Sequence, residues 1–360
     1  MLGVGLIGGS IGLAARRRLG AEVAGFDPDA ETLERALERD VLDAAHSSIG
    51  EAVDGAEVVF CAAPVGALPA LVSEALAASG DDAAITDVGS TKRGLIAGLP
   101  DARSRERFIG GHPLAGAETS GIGNARDDLF EGARWYLVPT ESSSGLLYDR
   151  LHRVIGELAA RPLAIDADTH DRVMATVSHL PHVIANVLAA EAAHALGDDS
   201  DRAPEVGPSF RDTTRVAGAN PAIWTDIFAS NRDALAGEID AVVERLRGAA
   251  ELLRSGDDDA LAEWHRGAQA DRRRLLEAEL VGGELFQLRV SVENRPGTVA
   301  EIALALGRAG VNIEDMALYP AADMRTGAVS LWIAGAEEAA RAAAVVRELG
   351  YTVSTVGSGG

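Results

Sequence analysis

The hydrophobic and polar positions of this chain change rhythm three times. From residue 1 to about 165, short apolar runs alternate with amphipathic stretches: "AEVVFCAAP" (56–64), "AAITDVGSTK" (83–92), "RFIGGHPLAG" (107–116) and "ARWYLVP" (133–139). Continuous apolar runs of this length read as strands buried on both faces, with helices between them. The region therefore predicts a doubly wound α/β sheet of the Rossmann type. From about Asp166 the βα rhythm stops. "DADTHDRVMATVSHLPHVIANVLAAEAAHAL" (166–196) predicts one long helix kinked at Pro181, followed by amphipathic helices near 230–255 and 257–280 around an acidic turn, "SGDDD". After "LVGGE" the alternation returns as strand, helix, strand, strand, helix, strand, with Pro296 opening the first helix and Gly310 closing it. That order is the ferredoxin-like β-α-β-β-α-β arrangement. The boundaries read as 1–165, an all-helical 166–282, and 284–357.

The first stretch opens "MLGVGLIGGSIGL", in which Gly3, Gly5 and Gly8 satisfy G-x-G-x-x-G and enclose Leu6 and Ile7. A helix, a strand and then Asp27, 19 residues after Gly8, complete a dinucleotide-binding pattern. The glycines let backbone approach a pyrophosphate at a helix N-terminus. Asp27 can accept from a ribose 2′-hydroxyl and would repel a 2′-phosphate, so NAD is favoured over NADP. Only Met1 and Leu2 precede Gly3. The strand that should lead into the turn is absent or a stub. Either the start is placed too late or the fold tolerates the loss, and a missing central strand would unpair backbone on both neighbours.

Composition narrows the function classes. Hydrophobic residues make up 47% of 360 positions, enough for a sizeable core. No apolar run reads as long enough to span a bilayer, and no signal-peptide pattern opens the chain. Cys61 is the only cysteine, which excludes an intramolecular disulfide and suits a reducing cytoplasm. The net charge of −22 argues against nucleic acid and anionic membranes as partners. An anionic substrate must then be held by local cations.

Ligands in such sheets bind beyond the carboxyl ends of the strands. Ala63-Pro64, Ser90 and His112 all fall at such ends. His112 sits in "GGHPLAG", a stretch that reads as a loop too rich in glycine for a strand interior. On composition alone it is a solvated loop histidine, and its position at a strand end counts against that. His179 and His182 lie three apart, near one helix face. Without cysteines or a dense acid cluster they make a poor metal site, and no metal is expected. Arg211, Asp212 and Arg215 follow around a threonine pair, ahead of Asn220-Pro221 and Trp224. As neighbours in sequence, such charges ordinarily form surface pairs.

Taken together, "GVGLIGGS", "DVGSTK", "GGHPLAG", "SHLPH", "FRDTTR…NPAIW" and "ENRPGTVAEI…AGVNIED" carry a resemblance. Over nearly its whole length the chain resembles bacterial prephenate dehydrogenases with a C-terminal ACT domain. The resemblance implies NAD-dependent oxidative decarboxylation of prephenate to 4-hydroxyphenylpyruvate, in tyrosine biosynthesis, by a homodimer. It implies that His112 is the catalytic base and that Ser90 bonds the substrate hydroxyl and that histidine. His182 and Arg215 would hold the dianion, with Glu118, His179, Asp212 and Trp224 nearby. Gly3, Gly5, Leu6, Ile7, Gly8, Asp27, Ala63 and Pro64 would line the cofactor site. Asn294, Pro296, Gly297, Asn312 and Ile313 would bind an effector, for which tyrosine, the pathway product, is the natural candidate.

The chemistry agrees with that assignment. A hydroxyl proton must leave as hydride departs from the same carbon, and imidazole suits the task near neutral pH. Ala117, after Gly116, offers no polar group to substrate. Prephenate and its amino counterpart arogenate remain open as substrates. A β-hydroxyacid dehydrogenase shares the architecture but relies on a lysine base in the second domain. Here Lys92, in the first domain, is the only lysine. A non-catalytic amino-acid sensor is the remaining alternative.

Overall fold

The computed structural model describes residues 1–115, 119–196, 206–277, 285–293, 298, 301–302, 305–306, 309–311, 313, 315–321 and 325–356. The chain forms two compact units, Met1–Arg245 and Leu246–Gly360.

The first unit is built on a mostly parallel sheet. Strand β1 (Ala24–Gly25) pairs parallel with β2 (Ala44–Ala45), and β3 (Val58–Cys61) pairs parallel with β4 (Ala84–Asp87). Leu2 joins the two pairs through parallel bridges to Phe26 and Cys61. The central strand is thus a stub, yet it hydrogen-bonds to both neighbours. Leu2 donates to the Phe60 carbonyl at 2.9 Å, Gly3 to Phe26 at 2.8 Å, and Phe26 in turn to Met1 at 2.9 Å. The expected loss of pairing on both sides does not occur there. Beyond β4, Phe108 bridges Ile85 in parallel and leads into β5 (Gly110–Pro113). Strand β5 pairs antiparallel with β6 (Arg134–Val138), which pairs parallel with β7 (Arg161–Ala164).

His112 therefore lies inside a strand, opposite Tyr136, and not in a loop. The glycines that argued against a strand are what permit this one. A Cβ on Gly111 would strike the Asp87 carbonyl and the Thr86 hydroxyl, so glycine allows β5 to lie against the end of β4.

Helix α1 (Leu6–Ala14) continues as a π-helix, Ala15–Leu19. The two faces of the sheet bury separate apolar clusters. Phe60, Trp135, Leu137 and Ile155 lie in one. Val59, Cys61, Ile85 and Phe108 lie in the other. Alternate residues of one strand thus enter opposite cores, the reason these runs are apolar without a break.

The helical part of this unit starts with α2 (Ala167–Met174), a π turn (Ala175–His179) and α3 (Leu180–Leu196). The break expected at Pro181 is this π turn, closed when Leu180 donates to the Ala175 carbonyl. It ends just before the proline, which has no N–H to continue the ladder. One run, Ala167–Ala195, is long and apolar enough to cross a membrane by length and composition, a correction to the sequence expectation. Its polar side chains place it in the protein instead. His170, Asp171, His179 and His182 are buried, and Asp171 accepts from the backbone of Lys92 and Arg93. Helices α4 (Pro208–Thr214) and α5 (Pro221–Ser230) follow, and α6 (Arg232–Ser255) runs across the boundary between the units.

In the second unit, α7 (Asp258–Glu277) precedes a four-stranded antiparallel sheet. Its strands are β8 (Leu285–Glu293), β9 (Asp315–Pro320), β10 (Thr326–Ala334) and β11 (Thr352–Val356), in spatial order β11-β8-β10-β9. Leu288 and Val290 are buried while Arg289 and Ser291 are exposed, so one face carries the core. The helix Ala336–Glu348 covers it with Ala339, Ala342 and Val346.

Candidate active site

The glycine turn is set by close approach. Gly3 has φ +88°, and a Cβ there would strike the Ala62 carbonyl. A Cβ on Gly8 would strike the Gly3 carbonyl. Gly5 faces open space and precedes α1 without any side-chain cap, so the first amides of the helix are left for a ligand. Asp27 stands over this turn. One carboxylate oxygen accepts from Val4 N–H at 2.8 Å and the other from Asp29 N–H at 3.0 Å.

A cavity of about 920 Å³ opens from the turn. Gly5, Leu6, Ile7, Ala63 and Pro64 line one side, as the sequence pattern requires of a nucleotide site. Ser90, His182, Arg215 and Trp224 line it as well, so one space joins the glycine turn to the polar residues of the helical segment. Its volume lies toward the upper end of ligand sites. Gly3, Gly8, Asp27, His112, His179 and Asp212 do not line it. Gly3 and Gly8 shape the turn from behind, and Asp212 is exposed on α4. Glu118 lies outside the described residues, as do Asn294, Pro296, Gly297 and Asn312. Ile313 packs against the core of the second unit.

Ser90 is held in a rigid corner. Asp87, at the end of β4, accepts from Gly89 N–H at 2.8 Å and Gly111 N–H at 3.1 Å, and pairs with the Lys92 ammonium. Both partners of that pair are fully buried. Burial pulls the Lys92 pKa down against the attraction of Asp87 and Asp171. The Ser90 hydroxyl oxygen is buried in the cavity wall without a hydrogen-bond partner. A buried hydroxyl left open in this way has capacity for a ligand.

His112 stands behind this wall, three residues before Ala115, which lines the cavity. Its Nδ1 lies 2.9 Å from His170 Nε2. His170 Nδ1 lies 2.8 Å from Asp171 Oδ1. Asp171 also accepts from Lys92 N–H at 2.7 Å and Arg93 N–H at 2.9 Å. Burial alone would raise the Asp171 pKa, but the bonds from His170 and the two amides outweigh it and hold it low. Burial, then the neighbouring charges of His170, Lys92 and His179, hold the His112 pKa well below its ordinary value. His112 is therefore neutral at neutral pH.

His182 stacks on Trp224, with ring centroids 3.3 Å apart and planes 19° from parallel. Its Nε2 is buried and has no partner in the protein. Burial lowers its pKa and the charge of Arg215 adds to that, while a hydrogen bond with the Val216 backbone opposes. His179 is fully buried beneath the site, where its Nδ1 meets the Asn231 amide at 3.2 Å. Burial chiefly lowers its pKa to about 4. The two histidines of "SHLPH" thus divide, one into the cavity and one into the core. Sequence reasoning passed over His170 and Asp171. The only available signal was a histidine next to an acid near the start of a predicted helix.

Comparison with known proteins accords with this geometry. Residues 11–163 match the prephenate dehydrogenase nucleotide-binding domain, and residues 166–266 match the prephenate dehydrogenase dimerization domain. The chain is 30% identical over 322 residues to a prephenate dehydrogenase of Bacillus subtilis, covering 88% of this chain and 86% of that one. It superposes with a TM-score of 0.71 on the Aquifex aeolicus prephenate dehydrogenase solved with hydroxyphenyl propionate and NAD+, at 28% identity over 76% of this chain and 96% of that one. The arogenate dehydrogenase of Synechocystis gives 0.68 at 28% identity, over 76% and 98%. A Rossmann-like domain, a helical domain and a shared cavity thus converge with the comparisons: this chain is an enzyme of the prephenate dehydrogenase family.

Proposed function

We propose that the enzyme oxidises and decarboxylates prephenate to 4-hydroxyphenylpyruvate. The observation that carries this reading is the single cavity joining the glycine turn to Ser90, His182, Arg215 and Trp224. NAD is the cofactor. The residues present fit it: the open Gly5 face and uncapped α1 suit a pyrophosphate, and the Asp27 carboxylate, anchored by Val4 and Asp29 N–H, suits a ribose diol. When bound, NAD accepts the hydride.

The chain's own residues do the rest. Ser90 has an unpartnered hydroxyl to bond the substrate alcohol and orient it. His112 takes the alcohol proton as hydride leaves the same carbon. Loss of the ring carboxylate as CO₂ then aromatises the ring and leaves a phenolate oxygen, which takes the proton back. His112 therefore holds the proton only in passing. Arg215 and the stacked His182–Trp224 pair hold the anionic end of the substrate.

Arogenate is the second reading, supported by the likeness to the Synechocystis enzyme. Purified protein given NAD⁺ with each substrate in parallel decides between them. NADH formation at least tenfold more efficient with prephenate is expected. The reverse preference makes the enzyme an arogenate dehydrogenase, and no turnover of either removes the proposed activity.

The protein acts as a homodimer in the cytoplasm, organised as 1–165 for NAD, 166–282 for substrate and 284–357 for regulation. The last stretch resembles an ACT domain, with tyrosine as feedback effector. The strand order β11-β8-β10-β9 and the covering helix support that reading. Tyrosine that inhibits without competing with prephenate is the expected behaviour. Purely competitive inhibition would place tyrosine in the active site instead.

A further inference from the structure

The arrangement around His112 extends beyond the base itself. His112 on β5 and His170 on α2 are 58 positions apart in sequence, yet their ring nitrogens meet at 2.9 Å. His170 is fully buried and Asp171 is 1% exposed. Tyr136, the register partner of His112 on β6, meets the His170 ring edge to face, with centroids 5.6 Å apart and planes at 90°. His112 meets the same ring with centroids 5.1 Å apart. The His170 ring is thus fixed by packing on the strand pair and by the carboxylate behind it.

Donor and acceptor roles follow from the fixed end of this chain. Asp171 receives two backbone amides in addition to His170, so it stands as a carboxylate and can only accept. His170 Nδ1 must then carry a proton. With that proton as its only one, His170 presents Nε2 as a lone pair, which accepts from His112 Nδ1–H. The proton of neutral His112 is thereby placed on Nδ1, and Nε2 is left as the basic nitrogen. We propose that Asp171 and His170 are positioning residues that lock His112 in the tautomer whose Nε2 takes the substrate proton.

The proposal rests on His112 as the proton acceptor. It adds how the right nitrogen is made available and how the charge is supported. As Nε2 takes the alcohol proton, the Nδ1–H···Nε2 bond to His170 becomes charge-assisted and strengthens. The ionised Asp171 lies one ring further back. A carboxylate holding an imidazole in its working tautomer is worth orders of magnitude in hydrolases. Here a second imidazole lies between the two. The proton returns to the phenolate in the same turnover, so the relay has no need of an exit to solvent.

Two measurements test this on the full-length protein. The first is ¹⁵N NMR of ring-labelled histidine in the resting enzyme, with His112 assigned by comparison with His112→Asn. The expected spectrum shows His112 protonated at Nδ1 and bare at Nε2. The second compares His170→Leu, which removes the acceptor, with His170→Gln, whose amide oxygen restores one near the same place. His170→Leu is expected to lower kcat by about 10²–10³-fold while the KM values for NAD⁺ and the dienyl substrate stay within about threefold. His170→Gln is expected to recover at least tenfold of that loss. Wild-type His112 protonated at Nε2, or a His170→Leu enzyme within twofold of wild-type kcat, overturns the proposal. If His170→Leu does not fold, the wild-type tautomer and the Gln variant still decide. A wild-type protein inert toward both dienyl acids would defeat the proposed function, and the spectrum would still judge the relay.

Discussion

The imidazole of His182 lies flat on the indole of Trp224, 3.3 Å between centroids, at the wall of the cavity that also holds Arg215. Phe228 backs the indole, with centroids 5.5 Å apart. Trp224 thereby fixes the imidazole plane and the direction of its unpartnered Nε2. Trp224→Ala is expected to raise the prephenate KM about three- to tenfold, the scale of one stacked aromatic pair, with a smaller effect on the NAD⁺ KM. Steady-state kinetics with each substrate varied checks this. A change confined to NAD⁺ would put Trp224 on the wrong side of the cavity.

Arg215 carries the cation expected to meet the substrate carboxylate. Arg215→Ala should weaken prephenate binding by about 1.5–3 kcal/mol, the range for hydrogen bonds to a charged group. Arg215→Lys should recover part of it, since the charge remains but the planar fork does not. An unchanged KM in both variants would return Arg215 to a surface role.

His112→Asn should lower kcat by about 10²–10⁴-fold, the contribution of a positioned general base. NAD⁺ binding, followed by fluorescence titration, should remain near wild type. Wild-type turnover in this variant would assign the proton transfer elsewhere.

Asp27 sits over the glycine turn, accepting from Val4 N–H, and in the proposed cofactor site its charge would repel a 2′-phosphate. The wild-type enzyme should prefer NAD⁺, and Asp27→Ala should narrow the gap to NADP⁺. Because Asp27 also accepts from Val4 N–H, some loss of affinity for both cofactors accompanies the change. A wild-type preference for NADP⁺ would remove Asp27 from the ribose site.

Acid should destabilise the first unit through its buried histidines. His179 titrates near 6.5 when unfolded and about 4 when folded. His112 and His182 are lowered in the same direction. The unfolded chain takes up these protons first, so stability is full above about 6.5 and falls as pH drops toward about 4. For His179 alone the loss reaches about 3 kcal/mol. Urea unfolding at several pH values between 7.5 and 4.5 should show the decline, and His179→Asn should flatten part of it. A midpoint independent of pH over that window would contradict the burial of these rings.

Much of this site was legible in the sequence because its signals are local. The glycine spacing and Asp27 recur within one βαβ unit, and Ser90 follows directly from a strand end. The rest was hidden by long-range geometry. "GGHP" looks like a loop because glycine is poor in strands, yet here glycine is what lets β5 approach the Asp87 carbonyl. The partner of His112 comes from a helix 58 positions later, and nothing in "THDRV" separates His170 from a histidine on any helix face. The division of His179 and His182 between core and cavity is set by what packs on each, Asn231 beside one and Trp224 on the other, which spacing alone does not reveal. The stub strand was readable only as a deficit. Its hydrogen bonds to both neighbours became visible when the sheet was assembled.

The buried Lys92–Asp87 pair has one more consequence. Lys92 is the only lysine in the chain, and its ammonium is sealed in the wall behind Ser90. Reagents that acylate or crosslink lysine find no exposed lysine ammonium on the folded protein. Modification at Lys92 requires the corner between β4 and β5 to open, so the rate of modification at that one side chain times the opening of this end of the sheet.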